Sequence, residues 1–63
     1  MVYILVKINV KGVRVTRKFE ERTHGYIKIT VWNDGVLQFG NTFTIKQARR
    51  RWKNMIDLGY NRV

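Results

Sequence analysis

Cations and aromatic rings alternate with apolar residues along two stretches of this chain. Lys7, Lys11, Arg14 and Lys18 fall in the first stretch, and Lys28, Thr30, Trp32 and Gln38 in the second. Lys and Arg neutralise phosphates, while Trp and Tyr stack on unpaired bases or pack against sugars. Residues of these types on one strand face meet the requirements of a surface for a nucleic acid. A second group, Lys46, Arg49, Arg50, Arg51 and Lys53, lies close together near the C-terminus. Its like-charged pairs at i,i+4, Lys46 with Arg50 and Arg49 with Lys53, weaken a helix slightly, a cost that a polyanionic partner would explain. Its alternative is an ordinary solvated helix face.

Other chemistries lack their parts. Nucleophilic catalysis needs a hydroxyl or thiol beside a positioned base, and the chain has neither Ser nor Cys. Its one histidine, His24, stands next to Gly25 in an expected loop. Glu20, Glu21, His24, Asp34 and Asp57 follow no zinc or calcium spacing, and the five glycines fall in no phosphate-cradling arrangement. The expectation is a protein without catalytic residues, metal or cofactor.

Composition sets the scale. A chain of 63 residues is expected to form one small domain over positions 1–63, with a thin core and no disulfide to staple it. Thirteen Lys and Arg against four Asp and Glu give a formal charge of +9, which attracts polyanions. The longest apolar run, Val2 to Val6, is far below the roughly 20 residues of a membrane span, and no basic segment precedes it. A soluble cytoplasmic protein without signal peptide or anchor is the expectation.

The elements that position the cations follow from hydrophobic periodicity. Val2, Ile4, Val6, Ile8 and Val10 alternate with Tyr3, Leu5, Lys7, Asn9 and Lys11, and Val13, Val15 and Phe19 continue the pattern, which Arg17 alone interrupts. A two-residue turn at Lys11-Gly12 would pair Val10 with Val13, Ile8 with Val15 and Ile4 with Phe19. A second hairpin runs from Gly25 to Trp32 and from Val36 to Phe39. A three-residue loop, Asn33-Asp34-Gly35, would pair Val31 with Leu37 and Ile29 with Phe39, whereas a two-residue loop would set Val31 against Gln38.

Thr44 with Gln47 three residues on has the form of a capping box, with Phe43 as a staple onto Ala48. Ile45, Ala48, Trp52, Met55 and Ile56 then form one apolar stripe, and Gly59-Tyr60 reads as a left-handed stop, so the spacing predicts a helix over Ile45 to Leu58. The fold class is α+β: two consecutive hairpins forming an antiparallel sheet packed on one C-terminal helix, ββββα. The helix is expected to cover Ile4, Val6, Ile8, Val15, Ile27, Ile29, Val31 and Phe39. Tyr3, Leu5, Lys7, Lys11, Arg14, Thr16, Lys18, Tyr26, Lys28, Thr30, Trp32 and Gln38 are then left on the open face. Four phosphate contacts there, from Lys7, Arg14, Lys18 and Lys28, would give a log K against log salt slope near −3.6, at about −0.9 for each contact. The alternative for that face is an apolar layer or dimer interface built on Tyr3, Leu5, Tyr26 and Trp32.

Two resemblances add expectations. A strand hairpin followed by Gly40-Asn-Thr-Phe43-Thr44-Ile-Lys-Gln47-Ala48 resembles the opening of the helix in plant AP2-type and tyrosine-recombinase arm-binding domains. Those domains lay a three-stranded sheet in the DNA major groove. The resemblance implies that Lys28, Thr30, Trp32 and Gln38 face DNA, ahead of RNA. Ala48-x3-Trp52-x3-Ile56-x2-Gly59-Tyr60-x-Arg62-Val63 is similar to the C-terminal end of small proteins of marine cyanobacteria and their phages, and implies no activity. The partner expected on all these grounds is a nucleic acid. An acidic protein bound by a small adaptor or inhibitor is the alternative, with a homodimer open and no membrane involved.

Overall fold

The computed structural model describes residues 2–63. Strands β1 (Val2–Ile8), β2 (Arg14–Glu21), β3 (Tyr26–Asn33) and β4 (Val36–Thr44) pair antiparallel in sequence order, and helix α1 (Ile45–Asp57) packs on one face of the sheet. The ββββα architecture is therefore present. A two-residue strand, β5 (Asn61–Arg62), is an addition that the period-2 pattern is too short to reveal. It lies beside β1, so the order across the sheet is β4-β3-β2-β1-β5.

The helix begins and ends where its flanking residues dictate. Thr44 Oγ1 accepts from the Gln47 N–H at 3.3 Å while Gln47 Oε1 accepts from the Thr44 N–H at 3.1 Å, closing the capping box. At the other end Gly59 adopts φ +97°, and the Tyr60 and Gly59 N–H groups donate to Met55 O and Ile56 O, both at 3.0 Å. These two bonds are the Schellman stop, and they turn the chain so that Tyr60 drops back onto the sheet. Leu58, expected in the last turn, is instead the C-cap residue.

The first hairpin departs from expectation by one residue. Gly12 N–H donates to Asn9 O at 2.9 Å with Gly12 at φ +79°, so Val10-Lys11-Gly12 form a three-residue loop in place of a two-residue turn. Asn9 Oδ1 holds it by accepting from the N–H groups of Lys11 and Val13, at 2.9 and 3.0 Å. Ile8 consequently pairs with Arg14, Lys7 with Val15 and Tyr3 with Phe19. A slip of one residue turns a whole strand over. Tyr3, Leu5 and Lys7 face the helix, and Ile4, Val6 and Ile8, expected in the core, lie on the open face with Val2.

The second hairpin departs in the opposite sense. Asn33 pairs with Val36 across a two-residue turn in which Asp34 (φ +48°) and Gly35 (φ +82°) are both left-handed. A bulge then restores the apolar register: Trp32 pairs with Leu37 but Val31 with Phe39, leaving Gln38 as the extra residue. The three-residue loop and the pairs Val31 with Leu37 and Ile29 with Phe39 do not form, because the tighter turn and the bulge each shift the pairing by one residue, two in all, which keeps Val31 and Ile29 on the helix side.

The core is small. Leu5, Phe19, Ile29, Ala48 and Tyr60 are buried together, with Tyr3, Val15, Ile27, Phe43, Trp52 and Met55 packed around them. Trp52 is the plug, meeting Phe19 and Tyr3 edge to face at ring separations of 5.1 and 6.1 Å. Arg17 lies in the helix-side row between Leu5 and Val31, where its Nε donates to Tyr60 Oη at 3.2 Å and its guanidinium lies 5.5 Å from the Tyr60 ring centre. Tyr60 thus gives a polar end and a ring face to the one cation that interrupts the apolar row of β2. Ile45, Ile56 and Phe39 remain substantially exposed, since one helix of 13 residues cannot span the width of the sheet.

Trp52→Ala should destabilise the protein by about 3 to 5 kcal/mol, most of what a domain this small has, whereas Leu58→Ala at the exposed C-cap should fall within about 0.5 kcal/mol. Urea unfolding followed by far-UV circular dichroism measures both. Equal midpoints for the two variants would show that the sheet does not depend on the helix stripe.

Candidate nucleic-acid interface

The face opposite the helix is assembled by register. Ile8 stands beside Arg14, Thr16 between Val6 and Trp32, Lys18 between Ile4 and Thr30, and Glu20 between Val2 and Lys28. Five of the expected site residues, Arg14, Lys18, Lys28, Thr30 and Trp32, are therefore gathered on one surface. Side-chain contacts order it further. Trp32 Nε1 donates to Thr30 Oγ1 at 2.9 Å, and Lys18 Nζ lies over the Trp32 ring at 4.2 Å from its centre. Asp34 Oδ1 accepts from the Arg14 N–H at 3.0 Å while Asp34 N–H donates to Arg14 O at 2.8 Å, which ties the second hairpin turn to the start of β2. Arg14, Thr16, Lys18, Trp32, Asp34 and Gly35 line a shallow, open depression of about 510 Å³.

Three expected members lie elsewhere. Lys7 is on the helix side, where its Nζ donates to Leu58 O at 2.6 Å and lies 5.9 Å from the Tyr60 ring centre. It satisfies a carbonyl at the helix C-terminus and is removed from the open face by the one-residue shift of β1. Lys11 is exposed in the first hairpin loop, at the end of the sheet. Gln38 is the bulged residue, and its Nε2 donates to Val36 O at 3.1 Å within its own strand. The apolar layer considered for this face is corrected as well. Leu5 is fully buried beneath the helix, and Tyr3 packs on Trp52. Tyr26 keeps the strand parity of Lys28 and Trp32 and stands half-exposed at the start of β3.

The sequence reading missed what replaces them, an aliphatic row of Val2, Ile4, Val6 and Ile8, with Val2 50% and Ile8 59% exposed. The signal was present in Asn9, since Asn followed three positions later by Gly is the signature of the looser turn. Gly40 was also missed. It pairs with Thr30, and a Cβ added to it would come within 2.9 Å of Thr30 Cγ2, so the absent side chain is what lets Thr30 turn its hydroxyl to Trp32.

Lys46, Arg49, Arg50 and Lys53 are exposed on α1, on the other side of the sheet from Arg14, Lys18 and Lys28. Arg51 departs from that stripe and lies over the Phe43 ring at 4.1 Å. Among the described residues the one ion pair is Arg22 with Glu20, 3.2 Å apart, so most of the positive charge has no carboxylate against it. No three His, Cys, Asp or Glu among the described residues gather as metal ligands would, and no helix is long and apolar enough to cross a membrane. His24 sits exposed at φ +63° in the short 3-10 turn between β2 and β3.

Comparison with protein-family models, curated proteins and solved structures finds no match for this chain.

Gly40→Ala should cost about 1 to 3 kcal/mol by forcing Thr30 off its hydrogen bond to Trp32. Thr30→Ser removes the clashing methyl and keeps the hydroxyl, so the double variant should recover most of that loss in a urea-melt double-mutant cycle. Additive effects would place the strain of Gly40→Ala elsewhere.

Proposed function

We propose that this chain is a non-catalytic nucleic-acid-binding domain that holds phosphates with Arg14, Lys18 and Lys28 on its open sheet face. The observation that carries the reading is the joint placement of these three cations with Thr30 and Trp32, opposite the helix and with none of the three in an ion pair among the described residues. Flexible cations with no carboxylate partner exchange counterions for phosphates, and this electrostatic term supplies most sequence-independent affinity. The side chain over Trp32 gives the site a two-part action. A base that stacks on the indole displaces the Lys18 ammonium from the ring and leaves it free for that nucleotide's phosphate. The aliphatic row of β1 offers sugars an apolar floor beside the charges. A chain without Ser or Cys, whose one imidazole is exposed in a turn, fits binding without chemistry.

That aliphatic row also supports the second reading, an adaptor or inhibitor that binds an acidic protein. Exposed apolar side chains rimmed by cations suit a protein partner of opposite charge.

With Lys7 committed to the helix C-terminus, three phosphate contacts remain, and a duplex titrated by fluorescence anisotropy should give a log K against log salt slope near about −2.7. Lys18→Ala with Lys28→Ala should weaken binding to every sequence and flatten the slope to about −0.9, and Trp32→Ala should weaken single strands by about 1 to 3 kcal/mol per stacked base. Arg49→Ala with Arg50→Ala on the helix is the contrast. Should the helix pair abolish binding while the sheet pair leaves affinity and slope untouched, the sheet face is not the site. Recovery of one acidic protein from nuclease-treated lysate, with no affinity for either nucleic acid, would favour the adaptor.

A further inference from the structure

The two edges of the sheet are finished differently. On one side β1 is covered in part by β5, which carries Arg62, and the Val63 N–H donates to Ile4 O at 3.0 Å. On the other side β4 is the outermost strand, and it pairs with β3 alone. It is nine residues long, Val-Leu-Gln-Phe-Gly-Asn-Thr-Phe-Thr, and exposed at every position but Phe43. Val36, Leu37 and Phe39 are 62%, 52% and 57% exposed.

An edge strand of this length presents a row of unpaired backbone N–H and C=O groups, and proteins normally blunt such edges with lysines, proline, short length or a covering loop. β4 has none of these except the bulge at Gln38. Charged residues make up 27% of the chain, yet β4 is the one strand that contains no Lys, Arg, Asp or Glu. That distribution identifies the occupant. Two copies of a chain carrying +9 repel one another wherever their cations meet, so a neutral strand is the surface along which they approach at least cost. An acidic partner would gain nothing from this strip and would be drawn to the cations elsewhere.

We propose that β4 is a self-association edge, along which two copies pair antiparallel about a twofold axis and join their five-stranded sheets into one of ten strands. Any antiparallel register over Val36 to Thr44 sets neutral side chains opposite one another. Register places Phe39 on the helix side with Val31, and Leu37 on the open side with Trp32. Lateral pairing therefore buries apolar surface on both faces of the seam. The two open faces become continuous, and a dimer presents two sets of Arg14, Lys18 and Lys28 to one ligand, where linked contacts raise avidity without a new contact. Self-association itself requires no nucleic acid, so it stands or falls apart from the binding reading.

Sedimentation velocity on nuclease-treated protein, over a concentration series at low and high salt, tests it. A concentration-dependent dimer is expected, tighter at high salt because salt screens the repulsion between like-charged copies. Association bridged by residual nucleic acid would weaken with salt instead. Leu37→Lys with Phe39→Lys, at exposed positions that leave the fold intact by far-UV circular dichroism, should raise the dimer dissociation constant by at least about tenfold. Val2→Lys with Ile8→Lys, which adds the same two charges away from the seam on the aliphatic row of the open face, should raise it far less than the β4 pair does in the same assay. A wild-type protein that stays monomeric at its solubility limit, an association that salt dissolves, or a dimer broken by the β1 pair and spared by the β4 pair each overturns the proposal.

Discussion

One carboxamide oxygen sets what each face of this sheet presents. Asn9 Oδ1 accepts two backbone N–H groups across the first hairpin, and the three-residue loop that it closes places Tyr3 opposite Phe19 and Lys7 opposite Val15. From that register follow the buried Leu5, the edge-to-face contacts of Tyr3 and Phe19 with Trp52, and the reach of Lys7 to the C-cap carbonyl of Leu58. Had the hairpin closed one residue tighter, Ile4, Val6 and Ile8 would have met the helix. Lys7 would then have joined Lys18 and Lys28 outside. A local turn preference thus decides both the core and the charge carried by the candidate interface.

A second constraint is the scarcity of carboxylates. With four acidic residues to set against thirteen basic ones, the fold uses aromatic faces where others use ion pairs. Lys7 and Arg17 lie near the Tyr60 ring, Arg62 near Tyr3, Arg51 over Phe43 and Lys18 over Trp32. Each such contact contributes about 0.5 to 1 kcal/mol at exposed sites, comparable to a surface salt bridge, and leaves the positive charge unneutralised. The molecule keeps its net charge available to a partner while its cations still support packing. Under the proposed function Lys18 would combine the two uses, exchanging its ring contact for a base and a phosphate.

The two basic regions are separated by the thickness of the sheet. Arg14, Lys18 and Lys28 belong to strands whose order is set by backbone hydrogen bonds, whereas Lys46, Arg49, Arg50 and Lys53 project from a helix that leans on the sheet through Ala48, Trp52 and Met55. The sheet residues are spread over two strands, and the helix residues are the more densely charged. On one narrow molecule, 17 Å along its shortest dimension, a long polyanion could reach either region first.

Element types, the helix with its capping box and glycine stop, and the inward faces of β2 and β3 were all legible in the sequence. Their signals are local and strong: Thr44 with Gln47, Gly59 before Tyr60, and Val15, Ile27, Ile29 and Val31 at strand spacing. With β2 and β3 oriented, Arg14, Lys18, Lys28, Thr30 and Trp32 were placed together correctly. The face of β1 was not legible, because Val2 to Val6 is apolar at every position and alternation cannot choose between Tyr3 with Leu5 and Ile4 with Val6. Both parities bury hydrophobic residues, so alternation left the choice to the turn at Asn9 and Gly12, and the tertiary contacts that reinforce it lie far off in sequence: the fit of Trp52 against Tyr3 and Phe19, and Lys7 on a helix end more than fifty residues away. The same holds for β5, whose two residues have no periodicity and become a strand only because the Schellman turn lays them against β1.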